Sequence, residues 1–206
     1  MQPDILQQKQ KNAFNQQTPL KQLASQSASQ TAMKAPFYLP DIFGATLWQS
    51  NKGQGVKVAV IDDGFDLSHA QFTQTKLIFS YDSESRSLDS PPKTAKDTHG
   101  TKVASILFAT NEEGDLNRDQ KVVKGMVPLA DFIAIRQPDT WTSNTILSFQ
   151  LAKLSNADVI NCSWHSLWLL EPIYDVISDL ARYGRSGKGT AVVFSAGNQG
   201  KKITPN

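Results

Sequence analysis

Two adjacent aspartates, one histidine and one asparagine stand beside apolar runs in this chain, and these residue types can divide the work of a hydrolytic site. Asp62 and Asp63 close the run Val56-Lys57-Val58-Ala59-Val60-Ile61 and are followed by Gly64. His99 opens His99-Gly100-Thr101-Lys102-Val103-Ala104, and Asn198 follows Ala191-Val192-Val193-Phe194 through Ser195-Ala196-Gly197. A carboxylate can hold an imidazole in one tautomer and stabilise its charged form, so that the other ring nitrogen takes a proton from a nucleophile. A carboxamide on the same rim can donate to a developing oxyanion, and losing one such donor typically costs about 10²- to 10³-fold in turnover. A lone histidine is more often structural, and an asparagine among glycines is often only a turn residue. Their combination is what points to chemistry.

The acids need a strand to deliver them. A short β-branched run that ends on carboxylates and a glycine reads as a buried strand of a parallel sheet, and ligands gather where such strands open into loops. Three chemistries compete for that rim. A dinucleotide fold needs its glycine fingerprint after the strand, whereas Gly53-Gln54-Gly55 lies before it. A phosphoacceptor receiver domain needs a further Asp at the end of another apolar strand, and Asp97 follows a polar loop instead. The third is a hydrolase in which a carboxylate orients a histidine.

At 206 residues the chain suits one α/β domain of moderate size. A formal charge of +2 is too small to make nucleic acid or an anionic surface its main partner. Cys162 is the only cysteine, which excludes an intramolecular disulfide and a cysteine-based metal cluster. It reads as a small buried apolar residue. No run approaches the length of a membrane span, and Met1 to Gln10 lacks the basic start and apolar centre of a secretory signal.

Residues 1–40 hold nine Gln and few, aperiodic apolar residues, which predicts a flexible arm or the end of a leader. Residues 41–206 are read as the folded portion. Lys76 to Tyr81 reads as a second strand, and residues 82–97 as a loop. Thr98 is the expected cap of a helix whose apolar stripe is Val103, Ile106 and Leu107, with His99 in its first turn. Strands are expected at Phe132–Arg136, Asp158–Ser163 and Thr190–Ala196, alternating with helices at Asn144–Leu154 and Pro172–Tyr183. The second of these helices presents Ile173, Val176, Ile177, Leu180 and Ala181 on one face. Alternation of this kind implies right-handed crossovers and a mainly parallel sheet with helices on both faces.

Taken together these stretches resemble the subtilisin-like serine proteases, or subtilases. Val58-Ala59-Val60-Ile61-Asp62-Asp63-Gly64 is similar to the family's aspartate motif, with Asp62 as the triad member, and the doubled acid resembles the kexin-like branch. His99-Gly100-Thr101-Lys102-Val103-Ala104-Ser105-Ile106 is similar to the histidine motif, and Gly125-Met126-Val127-Pro128-Leu129-Ala130 to the turn that follows it. Ala157 to Ser163 resembles the strand that leads to the substrate edge, and Val192 to Gly200 the oxyanion-asparagine motif. The resemblance implies a three-layer subtilisin-like α/β fold and a serine endopeptidase in which Asp62 orients, His99 is base and acid, and Asn198 stabilises the oxyanion. It implies a peptide or protein substrate that runs past Ser163, Trp164 and His165.

The departures shape the expectation. The family's nucleophile lies in a Gly-Thr-Ser-x-Ala-Pro motif, which does not occur among these residues. The expected object is therefore a catalytic-domain portion that stops before the nucleophile helix and is inactive by itself. Trp164 and His165 stand where the family has a small or apolar residue and then Gly, and Trp141 is expected in part of the substrate groove. No cofactor is required. A structural calcium is the one metal considered: Asp115, Asn117 and Asp119 look like the start of a calcium loop, but Gln120 and Met126 stand where the complete loop has Gly and Glu. The other class of function considered is a noncatalytic peptide-binding or scaffold remnant. Family likeness points to an extracellular or periplasmic location.

Overall fold

The computed structural model describes residues 48, 50–110, 124–139, 141–165 and 170–200. The chain divides into two units, Met1–Met33 and Lys34–Asn206. The Gln-rich arm and the calcium candidates Asp115, Asn117 and Asp119 lie outside the described residues.

Five strands form one sheet: β1 Lys57–Asp62, β2 Lys76–Asp82, β3 Asp131–Arg136, β4 Val159–Cys162 and β5 Ala191–Phe194. Their order is β2-β3-β1-β4-β5, and every pairing is parallel. Among the described residues three α-helices lie between them: α1 His99–Phe108, α2 Thr142–Leu154 and α3 Glu171–Gly187.

Alternation along the strands sorts the core into two layers. On one face Ala59, Ile61, Ile133, Ile135, Ile160 and Cys162 pack beneath α2 and α3, which contribute Phe149, Ala152, Ile173, Val176 and Leu180. On the other Val58, Val60, Phe132 and Ala134 meet Ala104 and Phe108 of α1. Phe108 stacks on Phe132 with ring centroids 4.2 Å apart, and Phe65 meets the same ring edge-on at 5.5 Å. Burial on both faces explains why β1 and β3 read as unbroken apolar runs.

The helix faces differ in detail from those expected. In α1 the fully buried positions are Gly100, Ala104 and Phe108, with Val103 and Leu107 at their flanks, whereas Ile106 is 50% exposed. The tightest approach to the sheet needs small side chains, so the apolar residue furthest round the helix is left outside. In α3 the buried series runs Ile173, Val176, Leu180 and Gly184, and Ala181 is exposed because it lies one step past that stripe. Thr98 precedes α1 but its side chain makes no capping hydrogen bond.

Among the described residues the second face is only partly covered. Beyond α1, Val159 and Asn161 of β4 and Val193 of β5 join Val56, Val58, Leu107, Met126, Val127 and Trp48 around an apolar groove of about 630 Å³. Trp48 is anchored there by its indole N–H, which donates to Met126 O at 2.9 Å.

Candidate active site

Parallel pairing brings the carboxyl ends of all five strands to one rim. β1 delivers Asp62, β3 delivers Arg136 beside it in register, β4 runs into Ser163 and Trp164, and β5 leads to the turn that holds Asn198. β5 is the second neighbour of β1, so its end lies about 10 Å along the rim from that of β1.

Asp62 and His99 meet. Nδ1 of the imidazole lies 2.8 Å from Oδ1 of Asp62, whose side chain is 4% exposed while that of His99 is 55% exposed. With Asp62 ionised, Nδ1 carries the hydrogen and donates it. The Asp63 amide donates to the same oxygen at 2.8 Å, and Oδ2 has no partner among the described residues. Burial raises the Asp62 carboxyl above its ordinary value, against the hydrogen bonds from His99 and the Asp63 amide. An acid held out of water beside an imidazole gains by sharing that imidazole's positive charge, which suits it to stabilise an imidazolium.

Packing brings the pair this close through Gly100. A Cβ at that position would lie 2.5 Å from Gly64 O and 2.9 Å from Asp62 Cβ. Only a residue without a side chain lets the first turn of α1 rest on the end of β1.

Asp62, Asp63, His99, Gln137, Pro138, Asp139, Ser163 and Trp164 surround a cleft of about 270 Å³. Ser163 and Trp164 thus stand where a substrate edge was expected. The β1–β4 ladder ends at Val60 opposite Asn161, and beyond it the Trp164 indole donates to Ile61 O at 2.7 Å. Trp164 also packs edge-on against Phe194 with centroids 5.5 Å apart, which ties the Asp62 strand to the strand that precedes Asn198. His165 is exposed, and its Cε1 would lie 3.6 Å from a Cβ built on Gly197, so the imidazole sits beside the Asn198 turn. Asn198 itself is exposed. Trp141, expected in the groove, is 72% exposed just ahead of α2, where its amide donates to Asp139 Oδ1 at 3.1 Å, and it is not among the residues that line this cleft.

Three residues important to this geometry were given no role in it from sequence, although Asp63 was noted beside Asp62 and Asp97 in the loop. Asp63 accepts from the amides of His99 and Gly100 at 3.1 and 2.7 Å. Arg136 is buried at the end of β3, where its guanidinium reaches Asp82 at 3.1 and 3.2 Å, Glu84 at 2.7 Å and Asp97 at 3.2 Å. Asp97 also accepts from the Thr94 hydroxyl at 2.6 Å and the Lys93 amide at 3.0 Å, so it fastens the loop just ahead of His99. The Thr94 hydroxyl, then the Lys93 amide and Arg136, lower the Asp97 carboxyl to about 2. The only sequence signal for this cluster is an arginine that closes the apolar run Phe132-Ile133-Ala134-Ile135. A buried charge in that position needs acids from neighbouring loops.

Cys162 lies fully buried in the core, where burial pushes its thiol above the usual range. His69 serves locally: its Nδ1 accepts from the Gln71 amide at 3.2 Å and starts a 3-10 turn, Ala70–Phe72. Among the described residues no three His, Cys, Asp or Glu side chains gather as metal ligands. The acids that do converge, Asp82, Glu84 and Asp97, enclose the guanidinium of Arg136. Among the described residues no helix is long and apolar enough to cross a membrane.

Comparison with known proteins agrees with this geometry. The model of the subtilase family matches residues 53–206. A calcium-dependent protease of Trichormus variabilis is 28% identical over 173 residues, which cover 76% of this chain and 25% of that protein. A kexin of Candida albicans is 29% identical over 176 residues, covering 78% of this chain and 18% of its own. The chain therefore spans about a quarter or less of the length of these relatives. The solved serine protease of Aeromonas sobria superposes with a TM-score of 0.59 at 21% identity, over 75% of this chain and 27% of that one. With three-quarters of its length matched by the family model and its fold shared with solved members, the chain belongs to the subtilase family.

Proposed function

We propose that these residues form the acid–base half of a serine endopeptidase. The observation that carries this reading is the 2.8 Å contact between Asp62 Oδ1 and His99 Nδ1, built from residues 37 apart in sequence onto one rim of a parallel sheet. Asp62 holds the imidazole with Nδ1 protonated. His99 Nε2 then accepts the hydroxyl proton of an attacking serine and later returns it to the leaving amine. The tetrahedral oxyanion is stabilised by Asn198, whose turn lies on the same rim. The attacking serine belongs to the family's Gly-Thr-Ser-x-Ala-Pro motif, which is not among these residues, so this portion does not turn over peptide by itself. Ser163 lines the cleft, but its hydroxyl oxygen already accepts from Asn161 Nδ2 at 2.9 Å.

The substrate is a peptide in extended conformation that enters past Ser163, Trp164 and His165. A structural calcium ion is part of the proposal on the strength of the relatives named as calcium-dependent proteases, with Asp115, Asn117 and Asp119 as its candidate ligands. A calcium chelator is then expected to lower the thermal midpoint, and substitution of Asp115 and Asp119 by Asn to remove that effect.

A serine-directed phosphonate tests the catalytic reading. When a polypeptide that carries the Gly-Thr-Ser-x-Ala-Pro motif is present with these residues, its serine is expected to be labelled in a His99-dependent manner. The 206-residue chain by itself is expected to take up no stoichiometric label. Labelling of Ser163, or of any other serine in this chain, would overturn the assignment.

A further inference from the structure

The amide hydrogens at the start of α1 have no partner within the helix and need acceptors from outside it. The side chain of Thr98, in the capping position, supplies none. The acceptors come from another element: Asp63 Oδ2 takes the His99 amide at 3.1 Å and Asp63 Oδ1 takes the Gly100 amide at 2.7 Å. A second tie runs the other way, from the Asp66 amide to Thr101 Oγ1 at 2.9 Å. The loop that leaves β1 therefore grips the first three residues of α1.

We propose that Asp63 is a positioning residue for the His99 base: its carboxylate fixes the backbone of His99 so that the ring reaches Asp62. The two adjacent acids divide one task. Asp62 orients the imidazole through Nδ1, and Asp63 sets where the Cα of the same residue stands. The arrangement suits its chemistry, since a carboxylate at a helix N-terminus is favoured by the helix dipole and its bonds to amides are charge-assisted. It also suits its geometry. Both acids follow one another at the end of a strand buried on both faces, so the two anchors share one rigid support, and Gly100 removes the Cβ that would separate helix from strand. A cap at Thr98 would only have ordered the helix. A cap from Asp63 registers the helix against Asp62.

This inference rests on the reading of His99 as the base, and its test separates the two. In the full 206-residue chain the Nδ1 hydrogen of His99 is expected as a downfield imidazole resonance that disappears in Asp62→Ala. In Asp63→Ala the His99 and Gly100 amides are expected to exchange about tenfold faster or more, the amount that corresponds to losing about 1.4 kcal/mol of protection. The downfield resonance is expected to vanish as well, at a temperature where circular dichroism shows the variant folded. Asp63→Asn, which keeps one acceptor oxygen, is expected to retain the resonance with intermediate exchange. If Asp63→Ala does not fold, Asp63→Ser, too short to reach both amides, takes its place with the same expectation. A lowered melting temperature with the resonance intact in the Ala or Ser variant would make Asp63 a helix cap and nothing more, overturning the proposal. A resonance that is missing from the parent chain, or that survives Asp62→Ala, would instead remove the Asp62–His99 pairing on which both readings stand.

Discussion

Asp62 illustrates how function and stability pull apart at a single residue. Its carboxyl is buried and its pKa is raised, so its contribution to folding is fully favourable only below the unfolded-state value and is lost as pH rises through the folded one. At neutral pH the charged acid is therefore a cost to the fold. Asp62→Asn is expected to leave the thermal midpoint at pH 7 unchanged or higher, while turnover of the catalytically complete enzyme falls by about 10⁴-fold, as expected when an imidazole loses its orienting carboxylate. Thermal melts and kinetics on the same variant check both halves. Asp97 has the opposite sign. Its carboxyl is lowered to about 2, so its contribution is present above the ordinary aspartate range and is lost as pH falls from about 4 towards 2. Acid titration of stability is expected to show a slope in that window which Asp97→Asn flattens. Its side chain is 14% exposed, and its bonds to Thr94, Lys93 and Arg136 mean that the loop before His99 loosens first.

The elements themselves were largely legible. β1, β2 and β3 were placed to within a residue or two: β1 and β3 because apolar runs buried on both faces leave a signal that does not depend on their neighbours, and β2, a more exposed edge strand, because Leu77, Ile78, Phe79 and Tyr81 suit a strand. The Asp62–His99 pair could be inferred because Asp62 closes such a run and His99 opens the helix that follows in the chain's alternation. The capping of α1 could not, because it is supplied from 36 positions away in sequence by an acid that looks redundant beside Asp62. For the same reason Arg136 is just a strand-end cation in sequence, and its partners emerge only when the connection from β2 to α1 folds over it. Ser163 and Trp164 line the cleft beside Asp62 and His99, and Trp141 does not, because a large exposed aromatic carries no mark in sequence of which way its backbone turns. At this scale Gly100 is the decisive contact between helix and strand. Gly100→Ala drives a methyl group towards Gly64 O and Asp62 Cβ, and is expected to destabilise the fold by about 1–3 kcal/mol in urea titration. It should also break the Asp62–His99 contact even where the chain remains folded.

Across the whole molecule the two sides of the sheet are unequally served. Among the described residues α2 and α3 close one side, while α1 closes only part of the other and leaves the apolar groove beside β4 and β5. Val193 is 51% exposed and Phe194 40% exposed in β5, at one edge of the sheet. An apolar edge strand with an uncovered face invites association. The chain by itself is expected to sediment as more than a monomer and to bind a hydrophobic dye, and Val193→Lys to reduce both without disturbing the Asp62–His99 contact.

The strand order has a consequence for how such a protein comes into being. β1 is translated first yet ends up in the middle, flanked by β3 and β4, whose residues leave the ribosome much later. Until Val159–Cys162 has emerged, the segment that ends in Asp62 lacks one of its two flanking partners. The rim that holds Asp62 is therefore framed on both sides only after the fourth strand has emerged, whatever the order in which the earlier elements dock.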